Sequence, residues 1–123
     1  MHKHLSKEVY RWKINDPYHG GVPDTYYSGP NNNCWIEYKY KHTLPAKCTS
    51  KIKINLSEQQ RIWLTRQKEH NIFTYAVFGS GDQVYVIEDF TITEITLKEF
   101  NKNAVAFKDF IQALTKHCLG DTK

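Results

Sequence analysis

The chain has 123 residues, a length typical of one domain with a single core and too short for a separate recognition domain. Hydrophobic residues make up 40% and aromatic residues 14% of the sequence, which excludes an intrinsically disordered chain. The formal net charge is +4, a moderately basic balance that suits a polyanionic partner but is also common among other proteins. We therefore expect residues 1–123 to form one globular domain.

Three widely spaced cysteines, Cys34, Cys48 and Cys118, include no CxxC pair. An odd, dispersed set argues against a disulfide framework or a structural zinc site and favours a reducing compartment. No apolar run approaches membrane-spanning length, and the first ten residues lack the apolar core of a signal peptide. We expect a cytoplasmic, intracellular protein with no membrane partner.

The first predicted element is a helix over residues 5–14. Leu5, Val9 and Trp12 recur at i, i+4 and i+7, the spacing of an inward-facing helical stripe. Glu8 falls within that stripe, where a carboxylate is costly unless it is paired, hydrogen-bonded or bound to a metal. Two interpretations stay open: a rim carboxylate that reaches solvent or basic neighbours, and an acidic ligand of a functional site.

Residues 22–28 and 34–41 are predicted to be two strands joined by a turn of composition Gly-Pro-Asn-Asn-Asn. Side chains alternate along a strand, so Glu37 and Lys39 share one face with Trp35. The opposite face, predicted to be core, carries Cys34, Ile36, Tyr38 and Tyr40. A hairpin of these strands would bring Asp24 alongside Glu37. Two adjacent carboxylates repel unless a cation lies between them, and Mg²⁺ often uses one or two carboxylates with water and phosphate.

The following segment, residues 42–55, is irregular and contains no acidic residue. Its basic side chains, together with the one that precedes it, are Lys41, Lys47, Lys51 and Lys53. Such a segment beside a phosphate-cleaving site would bind a nucleic-acid backbone, but the lysines of a solvated loop would look the same. The alternation over residues 51–54 fits a short strand.

Residues 57–70 form the clearest predicted helix. Ser57 and Gln60 match a capping box, and Gln60, Trp63 and Leu64 share the face that points at the sheet. The nearly continuous apolar run over residues 72–78 predicts a strand buried on both faces. A helix followed by such a strand implies a crossover connection and a mixed sheet.

The remaining pattern alternates short strands and helices. A turn over residues 79–82 precedes a strand over 83–88 and a short edge strand within 89–95. Thr96 and Glu99 predict a capped helical turn over 96–100. An amphipathic helix over 104–119 has a stripe formed by Phe107, Phe110, Ile111 and Leu114, which we expect in the core or at a dimer surface.

Pro23-Asp24, followed thirteen residues later by Glu37-x-Lys39, resembles the signature of the PD-(D/E)XK nuclease superfamily. The Gly-Val-Pro-Asp sequence at 21–24 and the Gln60-x-x-Trp63 pair are similar to its VRR-NUC and Holliday-junction-resolvase branches. The resemblance spans about residues 5–86. It implies an α/β, restriction-endonuclease-like fold with a mixed sheet flanked by helices.

The same resemblance implies metal-dependent hydrolysis of DNA phosphodiester bonds, leaving 5′-phosphate and 3′-hydroxyl ends. Asp24, Glu37 and the Tyr38 carbonyl would hold Mg²⁺, for which Mn²⁺ could substitute, and Glu8 would be a further ligand from the first element. Lys39 would position the attacking water and stabilise the transition-state charge. Gln60 would orient the reacting group.

The DNA substrate stays open at this point. A structure-specific nuclease for branched DNA and a site-specific homing endonuclease of phage origin both fit, and the basic residues between 41 and 53 serve either. A non-catalytic DNA-binding module would not need acidic residues that repel phosphate. A ribonuclease is a further alternative, but no basic and aromatic segment suited to RNA stacking is found. A chain this small would work as a homodimer or higher oligomer, because two cuts need two sites.

Overall fold

The computed structural model describes residues 5–14 and 23–120. Its strands and helices, in chain order, are β1 (Tyr10–Lys13), β2 (Thr25–Ser28), β3 (Asn33–Tyr40), β4 (Lys51–Lys53), α1 (Glu58–Glu69), β5 (Thr74–Ser80), β6 (Gln83–Ile87), β7 (Glu94–Thr96), α2 (Leu97–Asn103), β8 (Val105–Ala106) and α3 (Phe107–Leu119). None of the helices within these two ranges is long and apolar enough to cross a membrane.

Six strands form one sheet in the order β1-β2-β3-β5-β6-β8. The β3–β5 pair is parallel, and the other four pairs of this sheet are antiparallel. The chain between β3 and β5 contains α1, so the predicted crossover is confirmed. A second, two-stranded sheet pairs β4 with β7. The predicted mixed sheet flanked by helices is therefore present.

The large sheet buries side chains on both of its faces. On one face α3 packs on a cluster that includes Tyr27, Ile36 and Val77. On the other face α1, α2 and the small sheet pack against Ala76 and Phe78. Strand β5 contributes to both clusters, as expected for a continuous apolar run in a strand covered on two sides.

Helix α1 begins as its sequence predicts. The Gln60 N–H donates to the Ser57 hydroxyl at 3.1 Å, and the Ser57 N–H donates to the Gln60 side-chain oxygen at 2.9 Å, which completes a capping box. The Arg61 guanidinium then donates to the carbonyl groups of Ile54 and Ile92, at 3.1 and 2.6 Å. These bonds fix α1 against the segments that flank the small sheet.

The predicted helix over residues 5–14 is wrong. Residues 5–9 form turns, and Tyr10–Lys13 is an edge strand that pairs antiparallel with β2. Val9 is buried as predicted, but Trp12 is 53% exposed. The spacing of the apolar residues fits a helix, but Tyr10 to Lys13 also alternate aromatic and basic side chains. Pairing with β2 provides hydrogen-bond partners for the backbone of these residues in the strand conformation.

Other differences are smaller. The short strand within 51–54, the capped turn at Thr96 and the β2–β3 turn are confirmed. The last helix begins at Phe107 rather than residue 104, because Val105–Ala106 pairs with β6. Tyr40 is 55% exposed instead of being part of the core. The predicted start of β2 at residue 22 lies outside the described residues.

The β2–β3 turn contacts the end of α3 so closely that Gly29 has no space for a side chain. A Cβ at this position would lie 2.5 Å from the backbone oxygen of Cys118, which also accepts the N–H groups of Asn31 and Asn32 at 3.1 Å. Gly29→Ala must therefore displace α3. We expect a loss of about 1–3 kcal/mol in the free energy of unfolding, measured by urea denaturation.

Gly79→Ala is the matched control for this substitution. Its Cβ would meet its nearest neighbour, Tyr40, at an ordinary 3.4 Å. Equal losses for the two alanine variants would contradict the steric explanation.

Candidate active site

The hairpin of β2 and β3 brings Asp24 and Glu37 together. The Asp24 N–H donates to Glu37 Oε1 at 3.2 Å, just before β2 begins. The preceding Pro23 is fully buried, and the Asp24 carbonyl accepts the Ile14 N–H at 2.7 Å. The backbone of Asp24 is therefore held between β1 and β3. As the strand alternation predicts, its carboxylate lies beside Glu37 on the face of the sheet that α1 covers.

Lys39 completes a three-residue cluster. Its Nζ lies 3.4 Å from Glu37 Oε2, and its side chain is 27% exposed whereas that of Glu37 is 7% exposed. The two residues project on the same side of β3, as alternation requires. The greater exposure of Lys39 leaves its side chain in contact with solvent while it pairs with the buried carboxylate.

Burial of Glu37 decides which substitution tests its role. A carboxylate on a solvated sheet surface would cost little when replaced by alanine, but Glu37 is 5% exposed. Truncation at this position would leave a gap beside Asp24 as well as removing the charge. The isosteric Glu37→Gln substitution is therefore the cleaner probe.

The Tyr38 carbonyl is directed towards the edge of β3 where the Asp24 carboxylate lies. The N–H groups of Trp35 and Lys41 bond to carbonyls of the β5 side, so residues 35, 37, 39 and 41 of this strand direct their backbone groups to β5. Tyr38 has the opposite orientation, and its N–H donates to Asp24 Oδ2 at 3.4 Å. The N–H and C=O of a strand residue point to the same side. The β2 ladder ends at Thr25, so the Tyr38 carbonyl points to the edge occupied by the Asp24 carboxylate.

The electrostatics of the pair follow from its burial. Desolvation raises the pKa of Asp24, against hydrogen bonds from Thr25 and the Tyr38 backbone and the charges of Lys13 and Lys39. Desolvation, then repulsion by Asp24, raises the pKa of Glu37, against the nearby Lys39 ammonium. Two partly desolvated carboxylates that repel each other favour a cation beside them.

The oxygen atoms present fit a hard divalent cation. Asp24 and Glu37 each offer carboxylate lone pairs, and the Tyr38 carbonyl is a third oxygen donor directed to the same edge. Mg²⁺ and Mn²⁺ accept such sets when water and phosphate oxygens supply the other ligands. Within residues 5–14 and 23–120 no group of three or more His, Cys, Asp and Glu side chains could hold a metal ion.

Glu8 does not join this pair. It lies on an exposed turn before β1, and its N–H donates to the Ser6 hydroxyl at 3.2 Å. The predicted inward position depended on a helix that does not form. Its role as a metal ligand thus has no geometric support in this structure.

Gln60 has a structural partner of its own. Its side-chain oxygen accepts the Ser57 N–H in the capping box of α1. The side chain is half-buried at the start of the helix that covers the face carrying Glu37. Its proposed action on the reacting group stays a prediction, and the capping bond occupies the oxygen that such a role would use.

The four predicted DNA-binding lysines fall into two groups. Lys41 and Lys47 are exposed in the segment that leaves β3. Lys51 and Lys53 are exposed on β4, where Lys51 pairs with Glu94 at 3.2 Å. Their DNA contacts stay a prediction.

Lys13 was missed by the sequence analysis. Its charge favours ionisation of Asp24, and it lies at the end of β1 opposite Thr25. The alternation of aromatic and basic residues from Tyr10 to Lys13 is the signal that would have placed it on a strand at this site.

A solved structure has the same architecture. The Holliday junction resolvase Hjc from the archaeal hyperthermophile Archaeoglobus fulgidus matches with a TM-score of 0.55 over 84% of this chain and 88% of its own, at 12% sequence identity. The chain has a restriction-endonuclease-like fold. No protein-family model and no curated protein matches the sequence.

In this restriction-endonuclease-like fold, burial of the acidic pair predicts how stability varies with pH. A carboxyl group whose pKa is higher in the folded state stabilises folding below its unfolded pKa, about 4, and loses that contribution as pH rises through the folded pKa. We expect Glu37→Gln to gain stability relative to the wild type as pH rises from about 4 towards neutral. Urea midpoints across this range measure the difference.

Glu69→Gln, on the exposed surface of α1, controls for the change in net charge. A Glu37→Gln variant that becomes less stable relative to the wild type as pH rises would show that Glu37 is stabilised, and not penalised, by its surroundings.

Proposed function

We propose that this protein is a metal-dependent DNA endonuclease that hydrolyses phosphodiester bonds. The observation that carries the proposal is the cluster of Asp24, Glu37 and Lys39 at the point where the β2–β3 ladder ends. The site has the residue types and the spacing of the PD-(D/E)XK signature, and the similarity of the fold to that of a Holliday junction resolvase supports it.

Each residue has a distinct task in the proposed reaction. Asp24, Glu37 and the Tyr38 carbonyl would hold Mg²⁺ or Mn²⁺, which when bound supplies Lewis-acid stabilisation of the charge that develops on the phosphate. Lys39, held by Glu37, would orient a water molecule and donate hydrogen bonds to the phosphate oxygens. The water oxygen would bond to phosphorus and lose one proton to solvent, while the bond to the 3′ oxygen breaks and that oxygen takes up a proton, which leaves 5′-phosphate and 3′-hydroxyl ends.

Charge distribution supports DNA as the partner. The chain carries a net charge of +4, Lys39 pairs with Glu37, and the charge of Lys13 reaches Asp24. Lys41 and Lys47 would extend the basic surface along the segment that leaves β3. The proposed enzyme would act as a homodimer on branched DNA, because opposed cuts need two sites.

The decisive experiment incubates purified protein with Mg²⁺ or Mn²⁺ and three labelled substrates: linear duplex, four-way junction and supercoiled plasmid. Cleavage selective for the junction supports a structure-specific enzyme, and discrete fragments of the duplex would indicate a site-specific, homing-type enzyme instead. Tight binding without cleavage of these substrates or of a genomic DNA digest would favour the non-catalytic module and overturn the proposal.

Glu37→Gln tests the metal-binding role. The substitution preserves size but removes the negative charge, and stabilisation by the metal is worth several kcal/mol, so we expect cleavage to fall by more than about 100-fold. Rates under single-turnover conditions measure the loss, and circular dichroism checks the fold. Glu69→Gln is the matched control on an exposed surface, and equal rates for the two variants would exclude Glu37 from the site.

Lys39→Ala tests the proposed role of Lys39 in stabilising the transition state. Loss of a group that stabilises transition-state charge should lower the rate by about 10²–10³-fold while leaving DNA affinity nearly unchanged. Lys116→Ala on α3 removes an exposed lysine from the opposite side of the sheet and serves as the control. A Lys39→Ala variant that retains wild-type turnover would contradict the assignment.

A further inference from the structure

Beside the acidic pair, the sheet face carries a row of aromatic side chains. Trp12 of β1 lies opposite Tyr26 of β2, and Tyr26 lies opposite Trp35 of β3. The rings of Tyr26 and Trp35 have centroids 4.6 Å apart. Trp63 of α1 contacts Trp35 at a centroid distance of 5.3 Å, so the helix covers the inner end of the row.

The outer end of the row is open to solvent. Trp12 is 53% exposed and Tyr10, two residues earlier on the same side of β1, is 63% exposed. Tyr26, between Trp12 and the covered Trp35, is half-buried. We call Tyr10, Trp12 and Tyr26 the aromatic row. Large exposed aromatic side chains that are contiguous on one face mark binding surfaces rather than ordinary solvent-facing positions.

The aromatic row lies on the face of the site. Tyr26 is two residues from Asp24 and Trp35 is two residues from Glu37, so both point to the same side as the carboxylates. Along the strands, the aromatic row lies two residues, about 6–7 Å, from the carboxylates. A ligand with one group stacked on the row would therefore extend to the proposed cleavage position.

The positive charges near the aromatic row favour an anionic ligand. Arg11 and Lys13 alternate with these aromatic residues and lie opposite Tyr27 and Thr25, so they project from the other face of β1. The charge of Lys13 still reaches Asp24. A second copy that added its own β1 to the edge would oppose these like charges, which disfavours that contact. A polyanion with flat aromatic groups can stack on the row and place its phosphates near Lys39, which lies on the same face, and near the charge of Lys13.

We propose that the aromatic row stacks with unpaired bases, so that the substrate is DNA with a single-stranded segment next to the cleaved bond. This inference rests on the proposed nuclease function and specifies its substrate class. A base inside a duplex has both of its faces covered, so only an unpaired base can stack on a side chain. Single strands, flaps and opened junction arms offer such bases, and an intact linear duplex does not.

The test measures binding separately from cleavage. Fluorescence anisotropy of a labelled single-stranded oligonucleotide and of its duplex is recorded with EDTA, so that no metal-dependent cleavage occurs. Removing one stacking ring typically costs about tenfold in affinity, so Trp12→Ala should weaken single-strand binding by about that factor and change duplex binding little. Trp12→Phe, which keeps a ring, should restore most of the affinity.

Phe73→Ala is the matched control. It removes a 44% exposed aromatic ring that contacts His117 of α3, away from the face that carries the site. Wild-type single-strand affinity for Trp12→Ala, or equal losses for single strand and duplex, would overturn the inference. So would tighter binding of an RNA strand of the same sequence, or a Trp12→Ala variant that turns a dimer into a monomer in size-exclusion chromatography with light scattering.

The binding and cleavage experiments together distinguish failure of the stacking proposal from failure of the nuclease proposal. Cleavage that depends on Glu37, with single-strand binding indifferent to Trp12, would retain the nuclease and reject the stacking surface. Single-strand binding that depends on Trp12, without cleavage of any substrate, would retain the binding surface and reject the nuclease.

Discussion

The Glu37 carboxylate is almost fully buried on an interior strand of the sheet. The contacts around it reduce the free-energy cost of burying this charge. The Asp24 N–H donates to one of its oxygens and Lys39 pairs with the other. Neither contact cancels the penalty, since the pKa of Glu37 is still raised, first by burial and then by the neighbouring Asp24. A site that holds two desolvated carboxylates in this way is unfavourable alone and favourable with a cation.

The fold supplies this arrangement through strand termination. β2 begins at Thr25, one residue after Asp24, so the ladder to β3 stops where the Asp24 carboxylate takes the Tyr38 N–H. The end of a ladder leaves backbone oxygen atoms unpaired at a fixed place, which is what a hard cation requires from a protein. The fully buried Pro23 and the bond from Ile14 hold that place rigid from the β1 side.

The aromatic row and the acidic pair divide the same face of the sheet. Trp63 of α1 covers the part of this face that carries Trp35. The helix leaves the part formed by β1 uncovered. The edge strand thus presents exposed aromatic rings on the face of the site and basic side chains on its other face. Its charge also protects the edge against pairing with another strand. The position of α1, held by the bonds of Arg61 to Ile54 and Ile92, decides how much of the face remains available for a ligand.

The sequence alone determined the features that depend on local pattern. Alternation along residues 34–41 placed Glu37 with Lys39, the turn composition paired Asp24 with Glu37, and Ser57 and Gln60 marked the start of α1. Only the tertiary structure decided the rest. Residues 10–13 are a strand because β2 offers a ladder that a helix cannot use, and this removes Glu8 from the site and brings Lys13 to it. The aromatic row joins residues distant in sequence, so no local period reports it.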